Sequence, residues 1–279
     1  MCEEWKQSSI YDFPQYLPDD MKENTERRVC VSKPIRLIEL FAGYGSQAMA
    51  LRNIGAEFEH YRVVEFDKYA IKSYNAVHGT NFPTIDIREF SGNDLGIVEK
   101  DKYTYILTYS FPCTDLSLSG KQAGMKRGSG TRSGLLWEVE RLLKETDELP
   151  DILVMENVPQ VMSKKNMPDF QEWKDFLETK GYTSYAEILN AKDYGIPQSR
   201  RRCFMLSFLQ KCDYEFPKEI PLKMSAIDLL EENVSEKYYM PEDRVKTLID
   251  NYFLKSKILT DRQTDRQTDR QTDRQTDRQ

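Results

Sequence analysis

The apolar run Ile35-Arg36-Leu37-Ile38-Glu39-Leu40 passes directly into Phe41-Ala42-Gly43-Tyr44-Gly45, and then into a segment with helical apolar spacing, Ser46 to Ile54. A strand, a glycine turn and a helix in immediate succession restrict the fold strongly, because a buried strand that feeds a helix rejoins its sheet through a crossover. The pattern recurs along the chain. A second strand is expected over Tyr61 to Phe66, followed by a helical stretch and a short third strand near Thr84 to Ile87. The β-branched and aromatic run Tyr103 to Tyr109 reads as a buried strand, halted by Pro112, which cannot extend a ladder. After the loop Ser117 to Ser133 come an amphipathic helix from Leu135 to about Lys144 and the apolar strand Ile152 to Met155. Tyr182 to Ala191 and Cys203 to Phe208 read as two more strands, flanking the turn-prone Tyr194-Gly195-Ile196-Pro197. Alternating β and α units predict an α/β fold with a mostly parallel sheet and helices on both faces.

A chain of 279 residues holds one large or two small domains, and an apolar fraction of 39% is enough for a core. No stretch approaches the length of a membrane span, and Met1-Cys2-Glu3-Glu4 lacks the basic-then-apolar order of a signal peptide. A cytoplasmic location and no membrane partner are expected. Cys2, Cys30, Cys113, Cys203 and Cys212 form no C-x-x-C pair, and with two histidines no zinc-ligand spacing exists. A net charge of −6 argues mildly against a nucleic-acid partner, but clustering of Lys and Arg decides that question rather than the total.

Cys113 lies where the Tyr103–Tyr109 run meets a loop, at the carboxyl end of a strand, where open α/β sheets build their ligand crevices. Most lone cysteines are inert small hydrophobes; this one is placed to react. Gly43 and Gly45 allow backbone N–H groups to approach a ligand at a helix N-terminus, and the carboxylate of Glu65 ends the next strand, where it can hold a ribose. The third glycine of the dinucleotide fingerprint is missing, which disfavours a phosphate-bearing cofactor; an ordinary tight turn is the other reading of the pair. Glu156-Asn157-Val158-Pro159 follows another strand, so Glu156 would emerge on the same sheet edge as Cys113 unless it is a solvated carboxylate or a helix cap. In Gln198-Ser199-Arg200-Arg201-Arg202, strand alternation would put Arg200 and Arg202 on one face, able to hold an anion with bidentate geometry. Glycines 120, 124, 128, 130 and 134 alternate with Lys121, Lys126, Arg127 and Arg132, giving a mobile basic loop beside Cys113 that could close on a phosphate backbone.

These motifs, F-x-G-x-G, P-C, E-N-V and Q-x-R-x-R in this order over residues 34 to 210, resemble those of the DNA cytosine-5 methyltransferases. The resemblance implies a Rossmann-like fold that uses S-adenosyl-L-methionine. By resemblance, Phe41, Gly43 and Gly45 line the cofactor, Glu65 binds its ribose, Phe66 stacks on the adenine, Asp86 and Ile87 contact the adenine edge, and Leu135 lies near the methionine part. Cys113 becomes the nucleophile, Glu156 the acid at the cytosine ring, and Arg200 and Arg202 supporting cations, with Pro112, Asn157, Gln198, Lys121 and Arg127 on the substrate side. The implied partner is duplex DNA containing a target cytosine, whose base must be flipped out of the stack to be reached.

The expected organisation is an N-terminal extension at 1–33, a catalytic and cofactor-binding domain at 34–212, the lead-in to an incomplete target-recognition region at 213–259, and a tail at 260–279. The tail is five copies of Thr-Asp-Arg-Gln, apolar-free and expected to be disordered. The resemblance therefore implies either an enzyme whose recognition region is restored in cis or supplied by a second polypeptide, or an inactive truncated product with partial cofactor binding. An RNA cytosine-5 methyltransferase is a further alternative. The repeated unit ACAG reads ACA-GAC-AGA-CAG, which encodes Thr-Asp-Arg-Gln, so the tail is hypothesised to mark one phase of a length-variable reading-frame switch. A linker selected for disorder is the competing account, and mixed synonymous codons across the copies would decide for it.

Overall fold

The computed structural model describes residues 31–116, 123–225, 227–232 and 234–252. Lys121, the 260–279 tail and most of the N-terminal extension lie outside the described residues. The strands are β1 (Ile35–Leu40), β2 (Phe58–Val64), β3 (Thr104–Tyr109), β4 (Ile152–Asn157), β5 (Thr183–Asn190) and β6 (Arg201–Phe208). They alternate with α1 (Ser46–Asn53), α2 (Lys68–His78), α3 (Leu136–Glu145) and α4 (Met167–Thr179). The sheet runs β2-β1-β3-β4-β6-β5. The pairs β1 with β2, β1 with β3 and β3 with β4 are parallel, whereas β6 runs antiparallel to both β4 and β5.

Side chains alternate across the strands, so each face carries its own core. Ile35, Leu37, Ile106 and Ile152 pack with Ala48 and Leu51 of α1 on one face. Ile38, Leu40, Tyr105, Leu107, Leu153 and Met155 pack on the other with Leu142 and Leu143 of α3 and Phe170, Trp173 and Leu177 of α4. Each fully buried side chain of this size contributes on the order of 1.5–3 kcal/mol relative to exposure. Trp173 also donates its indole N–H to the Tyr109 hydroxyl at 3.0 Å, pinning α4 to β3. The α4 helix has a clear basis in sequence, with Phe170, Trp173 and Leu177 at helical spacing and Pro168 in its first turn, where no N–H is needed.

The expected strand at Thr84–Ile87 does not form. Asp86 instead nucleates a turn, its carboxylate accepting the Arg88 N–H at 3.0 Å and its carbonyl the Glu89 N–H at 2.9 Å. One backbone bond, Ile85 N–H to the Glu65 carbonyl at 2.9 Å, ties the segment to the end of β2. The first compact unit extends to Met224, with Tyr214 packed against Phe208 and Tyr185. In the second unit, from Ser225, a helix over 242–252 leaves Val245, Leu248, Ile249 and Tyr252 exposed. No helix among the described residues is long and apolar enough to cross a membrane.

Candidate active site

Four parallel strands place their carboxyl ends on one sheet edge, and antiparallel β6 brings its amino end to the same edge. The turn 41–45 after β1, Glu65 after β2, Cys113 after β3, Glu156 at the end of β4 and Arg202 at the start of β6 therefore all lie along that edge. In strand order, the turn and Glu65 fall toward the β2 side and Cys113, Glu156 and Arg202 toward the β6 side.

On the first side, Phe41 and Gly43 both adopt left-handed backbone, with φ of 56° and 57°. For a phenylalanine that conformation is strained, and such strain concentrates at functional sites. A Cβ on Gly43 would meet nothing within 4 Å, so the backbone there faces open space. Its N–H donates to the Glu65 carboxylate at 2.9 Å, whose other oxygen accepts from the Asp67 N–H at 2.8 Å. Gly45 serves another purpose: a Cβ there would lie 2.2 Å from Nε2 of His78 and 2.7 Å from the Tyr74 ring, so glycine lets α2 pack against the turn. Phe66 is 69% exposed, leaving its ring available for stacking. Asp86 is engaged by Arg88 in a salt bridge of 2.5 Å, which with the Arg88 N–H holds its carboxyl below the usual range. The Ile87 side chain is buried in the core, so a cofactor contact there would have to come through its backbone. Leu135 ends the short 3-10 turn before α3 and packs, partly buried, against the same core. A cleft of about 550 Å³ lined by Arg62, Thr84, Ile85, Glu89, Phe90, Asn93 and Asp94 contains none of the expected site residues.

Beneath this turn lies a polar network that the motifs did not reveal. Glu39 of β1 is buried, accepting the Tyr74 hydroxyl at 2.5 Å, and its other oxygen has no partner among the described residues. Burial pushes its carboxyl up to about 7, against the opposing effects of the Tyr74 hydroxyl and the Ala48 N–H. Nδ1 of His60 lies 2.6 Å from the same hydroxyl, and the His78 ring lies tilted against the rings of both His60 and Tyr74, with centroids 4.9 and 4.5 Å away. Burial, with His78 and Arg52 nearby, lowers His60 to about 4.

On the second side, Arg202 meets the Glu156 carboxylate at 2.9 Å, and both side chains are about one-quarter exposed. The register that opposes Asn157 to Cys203 and Glu156 to Phe204 sets this pair. Arg200 does not share the strand face: β6 starts at Arg201, and the Arg200 N–H donates to the Gln198 carbonyl at 2.9 Å in a tight turn. Strand alternation therefore governs Arg202 but not Arg200, which is exposed along with Gln198. Asn157 is not open to a substrate. It is 2% exposed, and its amide donates to the Phe111 carbonyl at 2.9 Å while its oxygen accepts the Val158 N–H at 2.8 Å, joining the end of β4 to the segment before Cys113. Pro112 and Cys113 are half-buried in a turn closed by the Leu116 N–H on the Cys113 carbonyl, at 3.0 Å. Cys203 is fully buried and its thiol is pushed up to about 12 by burial and by Glu156, which leaves it an inert core residue.

Arg127, read from sequence as a DNA-facing cation, is exposed and is engaged in pairs within the chain. Its guanidinium pairs with Glu140 at 2.5 Å and Glu172 at 2.9 Å, and lies 4.0 Å from the centre of the Trp137 ring. Glu140 is buried, which would raise its carboxyl, but Arg127 and Lys144 outweigh burial and lower it.

The C-5 cytosine-specific DNA methylase family model matches residues 35–279. The type II methyltransferase M2.ScrFI of Lactococcus lactis subsp. cremoris is 34% identical, covering 76% of this chain and 71% of its own. The orphan methyltransferase M.SssI of Spiroplasma monobiae is 38% identical, with 74% and 67% covered. Among solved structures, the S. pombe Dnmt2 methyltransferase superposes with a TM-score of 0.59 at 22% identity, covering 74% of this chain and 62% of that one. The likeness establishes a methyltransferase fold, and the chain spans roughly two-thirds of the length of these proteins.

Proposed function

Because the chain belongs to the C-5 cytosine-specific DNA methylase family, we propose that it methylates C5 of cytosine in duplex DNA, using S-adenosyl-L-methionine. The observation that supports this most is the shared sheet edge, with an open, left-handed turn braced by Glu65 on one side, and on the other Cys113 after β3 and the Glu156–Arg202 pair on the neighbouring strands β4 and β6. The turn fits the cofactor: Gly43 leaves room for a close approach, Glu65 lies against it as a ribose-binding carboxylate would, and Phe66 offers an exposed ring. Phe41, Gly43, Glu65, Phe66 and Asp86 would hold it, with Ile87 contributing backbone and Leu135 an apolar wall, while Gly45 lets α2 pack against the turn. When bound, it supplies an electrophilic methyl group.

The chain's own residues do the rest. Cytosine C5 is a poor nucleophile until a group adds at C6, so the Cys113 thiolate forms a bond to C6 while Glu156 donates a proton or hydrogen bond to N3. Electron density then moves to C5, which takes the methyl group. Loss of the C5 proton to a base re-forms the C5–C6 double bond and expels the Cys113 thiolate, and any proton taken up at N3 returns to Glu156. Arg202 orients the Glu156 carboxylate through their 2.9 Å contact. A half-buried thiol cannot reach a base inside the stack, so the target must be flipped out. Incubation with methyl-labelled cofactor and duplex DNA, followed by nucleoside analysis, tests the proposal; label in 5-methylcytosine is expected, and label in tRNA alone would move the activity to RNA.

A further inference from the structure

Three consecutive residues lead into Cys113, and each is held by a side chain from a different element. The Ser110 hydroxyl accepts from the Gln47 amide of α1 at 3.0 Å, the Phe111 carbonyl from Asn157 of β4 at 2.9 Å, and the Pro112 carbonyl from the Ser133 hydroxyl at 2.7 Å. Ser133 is completely buried. Its oxygen also accepts the Asp115 N–H at 3.3 Å, so a single hydroxyl bridges the residue before Cys113 and the residue two places after it. Only a hydroxyl can donate and accept in this way at such a small site. The Asp115 carboxylate returns the grip, accepting the backbone N–H groups of Arg132 at 2.8 Å and Ser133 at 3.3 Å. Its carbonyl takes the Gly124 N–H at 2.9 Å.

We propose that Ser133, held by Asp115, is a positioning residue that fixes the backbone on both sides of Cys113. The inference rests on the reading of Cys113 as the nucleophile, and it assigns to Ser133 an effect on the placement of the thiol rather than on the binding of cofactor or DNA. Removing the hydroxyl leaves the Pro112 carbonyl and the Asp115 N–H without their partner, and the segment gains freedom. A misplacement of about 1 Å in a reacting group can lower a rate by about 10².

The direct test is alkylation of the 279-residue chain with iodoacetamide, resolved by peptide mass spectrometry, with Cys212 as the internal reference. Ser133→Ala should raise the rate at Cys113 about threefold or more and leave that at Cys212 unchanged. Asp115→Ala should act in the same direction, while Asp115→Asn, which keeps an acceptor oxygen, should stay near wild type. In methyl transfer, Ser133→Ala should lower kcat about 10-fold with KM for DNA and cofactor within about twofold of wild type. Unchanged alkylation at Cys113 in both alanine variants, or a loss carried by KM, overturns the inference. A wild-type chain that transfers no methyl group to cytosine would count against the proposed function, and the alkylation result would still decide the role of Ser133.

Discussion

Replacing Glu39 by glutamine should reshape the pH dependence of stability. The folded carboxyl titrates at about 7 against an ordinary value of 4.5. Between those two pH values the folded chain keeps a proton that the unfolded chain has lost, so stability falls as pH rises through the window. The contribution is fully present below the lower value and gone above the upper one, a change of about 3 kcal/mol. His60 acts with the opposite sign. Lowered to about 4 from 6.5, it stays neutral in the fold and takes up a proton on unfolding, so its contribution is lost as pH falls through that range. Over the overlap the Glu39 slope is opposed by that of His60 and by that of His78, whose imidazole burial also lowers. Glu39→Gln removes one slope and leaves the others. Urea unfolding followed by tryptophan fluorescence, with Trp137 and Trp173 both in the first unit, gives the difference between the two proteins. That difference should shift in favour of the variant by about 3 kcal/mol from pH 4.5 to pH 7.5. A difference that is constant with pH would refute the buried, proton-holding Glu39.

Glu156→Gln should slow methyl transfer by about 10² with little change in cofactor affinity by calorimetry; weaker cofactor binding with normal chemistry would remove Glu156 from the cytosine. Gly45→Ala should destabilise by about 2–4 kcal/mol in thermal unfolding, because left-handed strain adds to overlap with His78 and Tyr74. Gly43→Ala should cost about 1–2 kcal/mol from strain alone and weaken cofactor binding, and equal losses at the two glycines would contradict their separate roles. Arg127→Ala should destabilise by about 1–2 kcal/mol, since Glu140 is buried but the arginine is half-exposed; unchanged stability with weaker DNA binding would restore Arg127 to the DNA surface.

β1 was legible to the residue because a buried strand met a glycine turn with no ambiguous residue between them. That Cys113, Glu156 and the 41–45 turn share one sheet edge was legible because parallel strands send their carboxyl ends to one side, a rule that needs no distances. Thr84–Ile87 carries strand-like residues, but the Asp86 carboxylate competes for nearby backbone N–H groups and turns the chain. Alternation was carried back to Arg200, but the strand begins only at Arg201 and Arg200 lies in the turn before it, where alternation does not apply. The grip of Asp115 and Ser133 joins residues eighteen apart through one hydroxyl and leaves no periodic trace. Glu39 left a faint one, a lone carboxylate inside an apolar strand, which has to be neutral or paired when buried.

The most direct test of the account is covalent capture on duplex DNA carrying 5-fluorocytosine at the target base, in the presence of S-adenosyl-L-methionine. The chain should be assayed as it stands and lengthened to the span of its relatives. The fluorine cannot leave as the C5 proton does, so the enzyme should stall with its sulfur bonded to C6. A denaturation-resistant protein–DNA adduct is expected, mapping to Cys113 and lost in Cys113→Ala. An adduct at another residue, or methyl transfer retained by Cys113→Ala, would contradict it.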